Sequence, residues 1–374
     1  MKKALTITCH NVYNHGATLQ QYALLEYLKD QGYESKSINY KPPYLSNHFK
    51  LWHVPEKFNK NIFLKAAYLG LKLPGRLVDL KRKKNFDAFE SQHLDILPKL
   101  FVTNEDLKKD VPEADIYICG SDQIWNSFFE NGKDPAFYLN FVPDNKLKIS
   151  YAASFAIDEL EEEVKPLVQK NVERLQAVSV RETSGLTILK GLGIHDAVQV
   201  LDPVFLISAK RWKDKFVFPI NEKYIFVYDC DSNEQIKKIA ETAAKEHNLK
   251  IFTVDKNINY ADKNYFHEAP DYFLSLIYNS QFVLTNSFHA LSFSLIFNKK
   301  HFVFNRTEKI NTRMRDLMQL AGVSELLLAR DEFRNINDVE IDFDKVNEKI
   351  SQEIIKSKAF LLNALETKSD VTTD

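Results

Sequence analysis

The chain has 374 residues, more than one hydrophobic core of ordinary size accommodates, so two domains and a cleft between them are expected. Hydrophobic residues make up 44 % and charged residues 27 %, which excludes disordered and fibrous classes. Lysine and arginine (50) balance aspartate and glutamate (51) to a net charge of −1, which excludes the basic footprint of a general nucleic-acid binder and confines any anion site to a local cluster.

Residues 3–9 form an apolar, partly β-branched run that breaks at His10. It reads as a first strand, being too short and too soon interrupted for a secretory signal. The polar turn NVYNHG and the helically spaced ATLQQYALLEYLKDQG follow, with Gly32 as a stop and SKSINY as a second strand. The opening is therefore a βαβ unit, and its loop lies where open α/β sheets bind ligands. Asn14, His15 and Gly16 occupy that loop and are candidates for holding an acceptor; the segment is too short for a dinucleotide fingerprint.

From Lys57 to Lys84 nine cations face a single acid, Asp79, among Phe58, Ile62, Phe63, Leu64, Leu71, Leu77 and other apolar residues. That is the composition of an interfacial amphipathic segment, and equally of two surface helices with solvated lysines. The functional version expects peripheral contact with an anionic membrane or with the diphosphate of a lipid-linked sugar.

Strand and helix then alternate: DIYICG before SDQIW, KISYAAS before a Glu-rich helix, and AVSVR before ETSGLTILKG. A mostly parallel sheet accommodates them. In ICGSDQIWN the strand ends at Gly120, and Ser121 and Asp122 open a short helix. Asp122, counted here with His289 as a candidate catalytic residue, would hold sugar hydroxyls together with Ser121 and Gln123, while Trp125 supplies an apolar face. An N-cap and a core indole explain the same residues. Arg181 ends a strand at the carboxyl edge of the sheet; its planar fork suits a carboxylate or phosphate, or a local acid such as Glu182.

LDPVFL marks the interdomain connection within residues 200–213. Domains are thus expected over 1–200 and 201–340, with a C-terminal helix and tail over 341–374. The second series runs KYIFVYD, a helix near 233–247, LKIFTVD, a helix near 271–279, QFVLT, a helix from about 288, and HFVF. In QFVLTNSFHALSFSLIF a buried strand feeds a helix whose free N–H groups attract an anion. Asn286, Ser287 and Phe288 would line that anion site beside His289, whose ordinary pKa near neutrality suits proton transfer. A histidine in a first helical turn is also commonly no more than a polar cap-region residue. Arg313 and Asp316 stand one turn apart, a spacing common in helix-surface pairs. Residues 343–365 have helix-forming composition and can pack back across a domain, and the final TKSDVTTD reads as frayed. Cys9, Cys119 and Cys230 lack metal-ligand spacing and read as buried free thiols of a reducing compartment.

Taken in order, NHGATLQQYAL, ICGSDQIWN with SYAASF, SVRE, LDPVFL, and LTNSFHALSFSLIFNKKHFVF with NTRMRDL resemble the polysaccharide pyruvyl transferase family over roughly residues 4–325. The resemblance implies two Rossmann-like α/β domains facing across a cleft, similar to the glycosyltransferase B fold. It implies transfer of pyruvate from phosphoenolpyruvate, as co-substrate, onto a sugar or lipid-linked oligosaccharide as a ketal. His289 matches the family's active-site histidine and Arg181 its donor-binding arginine. Ser287 stands where several members have arginine, so Arg306, Arg313 or backbone N–H groups would replace that anion contact. No further cofactor and no metal are expected, and the cytoplasm, at most the inner face of the membrane, is the expected location. The alternative on the same fold is a nucleotide-sugar glycosyltransferase.

Overall fold

The computed structural model describes residues 1–307 and 311–367; most of the expected frayed tail, from residue 368 on, lies outside them. The first half runs β1 (Lys3–Ile7), α1 (His15–Asp30), β2 (Glu34–Tyr40), α2 (Glu56–Asn59), α3 (Ile62–His93), β3 (Ile96–Phe101), α4 (Asn104–Lys109), β4 (Ile116–Cys119), β5 (Leu147–Ser150), α5 (Lys165–Val172), β6 (Ser179–Val180), α6 (Thr183–Gly191) and β7 (Val198–Gln199). The second runs α7 (Ala209–Phe216), β8 (Tyr224–Tyr228), α8 (Glu234–His247), β9 (Lys250–Thr253), β10 (Lys263–Asn264), α9 (Pro270–Asn279), β11 (Phe282–Thr285), α10 (Phe288–Ile296), β12 (His301–Phe304), α11 (Thr312–Ala321), β13 (Leu327–Leu328) and α12 (Phe343–Glu366).

Both halves are doubly wound. One parallel sheet has the order β3-β2-β1-β4-β5, and single bridges from Ile149 to Ala177 and from Ala153 to Val180 carry it on to the β6-β7 pair. The other has the order β10-β9-β8-β11-β12-β13, also parallel. Each order reverses beside its first strand, between β1 and β4 and between β8 and β11. Ligands gather at such switch points, outside the carboxyl ends of the strands. Helices cover both faces, so central strands such as YIFVY in β8 are buried at every residue.

The halves share their packing. Thirteen of the sixteen residues of α1 are buried, because the helix lies between its own sheet and the second core, where Leu19, Tyr22 and Ala23 meet Trp212 and Phe216. The long α12 places Val346 and Ile350 in that second core and Leu361, Ala364 and Leu365 against Ala4, Ile116 and Ile149 of the first sheet. The expected return of the C-terminal helix across a domain is thus present, and it reaches both.

Two local readings are corrected. The Glu-rich stretch after KISYAAS, expected to be helical, is irregular over residues 159–161 and a turn over 162–164, and α5 begins only at Lys165. Glu159, Glu161, Glu162 and Glu163 repel one another, and Pro166 suits a helix start. The basic stretch is one short helix and then a single 32-residue helix, α3, running through Pro74. All three cysteines are free; Cys9 and Cys119 are buried, whereas Cys230 is partly covered. No described helix is long and apolar enough to cross a membrane.

Candidate active site

The carboxyl ends of the two sheets face each other, and five side chains converge there. After β4 comes Gly120, whose φ of +123° and 2.1 Å clearance between a built Cβ and the Tyr151 carbonyl oxygen leave room for no side chain. The chain then turns through Ser121 to Asp122, which holds a φ of +70°, uncommon for a residue with a side chain. Arg181 follows β6, Asp202 follows β7, His289 lies in the first turn of α10, and Arg313 lies in the first turn of α11.

Asp202 is the hub. Its Oδ2 accepts from Arg181 Nη1 at 2.5 Å and from Ser121 Oγ at 3.3 Å, and it lies 3.6 Å from His289 Nε2. The last separation is an ion-pair contact, too long for a hydrogen bond. Oδ1 accepts from the Val204 backbone at 3.1 Å. Burial pushes the Asp202 carboxyl up, but His289, Arg181 and the Val204 N–H outweigh it and hold the group well below the usual carboxylate range. Asp122 is governed the same way: burial raises it, and Arg181 at 3.4 Å, His289 and Arg313 at 3.7 Å bring it below its ordinary value. Both carboxylates are therefore ionised throughout the neutral range.

The cations are shaped by the same enclosure. Burial and the like charge of Arg181 lower Arg313 to about 10. The Phe288 ring lies 4.4 Å from the Arg181 guanidinium carbon and 5.4 Å from that of Arg313, a cation–π seat for both. Arg181 Nε, Arg313 Nε and His289 Nε2 have no hydrogen-bond partner within the protein. Ser287 makes no side-chain cap at the start of α10, the helix whose first turn carries His289. Free N–H groups, a helix dipole and an imidazole are what an anion requires.

A protein-family model for polysaccharide pyruvyl transferases matches residues 14–308. The chain belongs to the polysaccharide pyruvyl transferase family. No curated protein matches it. Among solved structures it resembles UGT89C1 of Arabidopsis thaliana, determined with UDP-L-rhamnose, at a TM-score of 0.52 and 8 % identity over 99 % of this chain and 98 % of that one. UDP-N-acetylglucosamine 2-epimerase of Rickettsia bellii aligns at 0.47 and 12 % identity over 98 % of both chains. At 8 % identity the likeness to UGT89C1 concerns the fold alone, and it agrees with two facing Rossmann-like domains.

In this family member the expected site residues separate into two groups. His289, Asp122, Arg181, Arg313, Ser121 and Phe288 come together around Asp202, with Ser287 at the α10 start. Four others, Trp125, His15, Asn286 and Gln123, do not join them. Trp125 is fully buried, stacked on Tyr138 at 5.3 Å with Nε1 donating to the Phe137 carbonyl, so it offers no face to a sugar. His15 is fully buried between Phe86 and Phe273, and burial together with Arg82 lowers its pKa well below the ordinary value. Asn286 is spent on the Cys230 N–H and on Asp229, closing the turn after β8. Gln123 keeps partial exposure while accepting from Asn126 Nδ2 at 2.8 Å.

Asn14 and Gly16 act at one remove. Asn14 caps α1 by accepting from the N–H groups of Gly16 and Ala17. A Cβ on Gly16 would fall 2.0 Å from His289 Nδ1 and 2.7 Å from its Cβ, so rotating the ring gives no relief. Glycine costs a helix up to ~1 kcal/mol relative to alanine, and here it leaves the space that the imidazole fills. Gly16→Ala is expected to lower turnover about a hundredfold, the scale of a 1 Å misplacement. In a His289→Gly background, which removes the Cβ as well as the ring, the same change should leave thermal stability unchanged or slightly raised. Equal stability losses in both backgrounds would refute the contact.

The sequence reading passes over Asp202 and Glu90, and gives Asp316 only as the surface partner of Arg313. The DP step of LDPVFL reads as punctuation, although it occupies the strand-end position that Arg181 occupies one strand earlier. Asp316 turns away from its own helix surface and accepts from the Thr183 N–H at 2.5 Å, capping α6 from the other half of the molecule. Glu90, on α3, accepts from Asn11 Nδ2 at 2.6 Å, and burial and Asp87 push it from its ordinary 4.5 to about 7. Between these values the folded chain holds a proton that the unfolded chain has lost, so stability falls as pH rises through this window and levels off above it. The difference corresponds to on the order of 3 kcal/mol. Glu90→Gln should therefore gain stability relative to the parent as pH goes from 4 to 8, read by thermal unfolding; a constant gap across that range would contradict it.

Proposed function

We infer that this chain moves the pyruvyl group of phosphoenolpyruvate onto two hydroxyls of a sugar as a ketal, in the making of a cell-surface polysaccharide. The observation that carries the reading is the meeting of His289 with the Asp202–Arg181–Asp122–Arg313 cluster at the uncapped start of α10. Phosphoenolpyruvate bears a phosphate and a carboxylate, and the helix start with Arg313 suits one such group. Arg181 is already committed to Asp202 and Asp122. Its part is to fix those carboxylates and the Phe288 seat; its Nε is unpaired but buried.

The transfer balances as follows. A proton adds to the methylene carbon of the enol, and one sugar hydroxyl oxygen bonds to the adjacent carbon. The carbon–oxygen bond to phosphate breaks, and the second hydroxyl closes the ketal. Of the two hydroxyl protons, one is in effect consumed in making the methyl group and the other leaves on inorganic phosphate. His289 is the proton carrier at Nε2, with the ionised Asp202 as counter-charge at 3.6 Å. Among the described residues no three His, Cys, Asp or Glu side chains gather as metal ligands, and turnover is expected to survive a chelator.

The test is incubation with phosphoenolpyruvate and a panel of glycans, following inorganic phosphate and the mass of the sugar. Phosphate release coupled to pyruvylated product is expected. Release of a nucleoside diphosphate from a sugar nucleotide, with no use of phosphoenolpyruvate, would replace this reading with glycosyl transfer.

A further inference from the structure

Helix α3 turns its apolar side the wrong way for a protein core. At 100° per residue, Phe63, Ala67, Gly70, Leu71, Pro74 and Val78 fall on one face, and all six are exposed, Phe63 by 81 % and Leu71 by 82 %. No charged side chain interrupts that face between Ile62 and Val78. The opposite side holds the helix to the protein: Arg76 donates to the carbonyls of Leu51 and His53, Asp79 pairs with Lys256, and Arg82 donates to the carbonyls of Tyr13 and Phe266. Two of the cations that made the segment look uniformly basic are thus structural.

Exposed lysines stand at the two ends of the apolar face, while Lys72 is exposed on the other side of the helix and Lys81 also lies 3.5 Å from Glu268. Lys57 and Lys60 precede it, and Lys81 and Lys84 follow it, with Lys81 seven residues beyond Pro74 and so on nearly the same side. Residues 57–78 contain no acid. We propose that the outward face of α3 lies flat in an anionic phospholipid surface, its apolar stripe in the acyl boundary and its terminal lysines at the headgroups. A second copy of the chain is a poorer occupant. Twofold symmetry would lay two such helices either antiparallel, with Lys57 and Lys60 of one against Lys81 and Lys84 of the other, or parallel, with each lysine pair against its own copy, so like charges meet in both.

Trp52 reports on this directly. It lies between the two residues whose carbonyls Arg76 holds and is 71 % exposed, whereas Trp125 and Trp212 are fully buried. Vesicles of phosphatidylcholine with phosphatidylglycerol should co-sediment the full-length protein and shift its tryptophan emission to the blue. Vesicles of phosphatidylcholine alone should do neither. Leu71→Glu combined with Phe63→Glu should lower the partition by roughly tenfold or more, as should Lys57→Glu with Lys60→Glu and Lys84→Glu. Trp52→Phe should abolish most of the emission change while sedimentation persists. These readouts need no donor or acceptor, so they stand or fall apart from the proposed reaction. Equal binding to neutral and anionic vesicles, no binding to either, or a concentration-dependent dimer dispersed by Leu71→Glu would each overturn the proposal.

Discussion

Replacing His289 by alanine is expected to slow pyruvyl transfer by roughly 10²–10⁴-fold, the range for loss of a positioned proton carrier, while the fold persists. The imidazole makes no hydrogen bond through Nε2 within the protein, so its removal leaves no partner stranded, and the volume it vacates adjoins Gly16. Asp202 loses a neighbour at 3.6 Å but keeps Arg181 at 2.5 Å and the Val204 N–H. The loss should therefore appear in kcat, with apparent affinity for the proposed donor, phosphoenolpyruvate, changed far less. His289→Gln fills the space without carrying a proton and should be nearly as slow. Full turnover by either variant would remove His289 from the chemistry.

The second large effect concerns stability. Asp202→Ala leaves the Arg181 guanidinium, whose side chain is only 1 % exposed, with Asp122 at 3.4 Å as its remaining ion-pair partner. Breaking a buried pair from one side costs about 3–5 kcal/mol, because the surviving charge is left poorly compensated. Denaturant unfolding at pH 7 should show that loss. The sign with pH is fixed by the lowered carboxyl: its contribution is complete above the ordinary carboxylate range and disappears as pH falls through the depressed value. The parent and variant curves should therefore converge only in strong acid. Arg181→Met in the Asp202→Leu background removes both charges and should recover much of the stability without restoring activity. A single-variant loss below about 1 kcal/mol, the scale of an exposed pair, would mean that the cluster is not an anchor of the cleft.

The architecture was legible because its signals are periodic and local. Apolar runs such as YIFVY and FVLT, punctuated by Gly32 and by the proline of LDPVFL, mark buried parallel strands whatever surrounds them. The cluster was half legible. His289, Arg181 and Asp122 each follow a strand, where doubly wound sheets place their ligands. Asp202 follows one too, but an Asp-Pro step has a sufficient local explanation as a turn, and only the Arg181 contact reveals its second role. Trp125 erred the other way: it sits beside true cleft residues, yet the short turn from Asp122 points the indole inward at Tyr138. Gly16 was assigned by its loop, whereas its meaning comes from a ring more than 270 residues downstream. Charge counting could not separate Arg76 and Arg82 from the lysines around them, since burial, not composition, distinguishes a tether from a surface cation.

The course of α12 bears on how the enzyme can open. Its last turns rest on the back of the first sheet while its first turns belong to the second core, so the chain passes between the halves at residues 200–208 and again along this helix. Two tethers spaced apart define a hinge line, which permits the halves to gape like a bivalve shell but resists twisting. Cutting the polypeptide at a single connector should therefore leave both valves joined and aligned, whereas truncation before Phe360 should weaken their resistance to twisting, with α1 still packed in the second core.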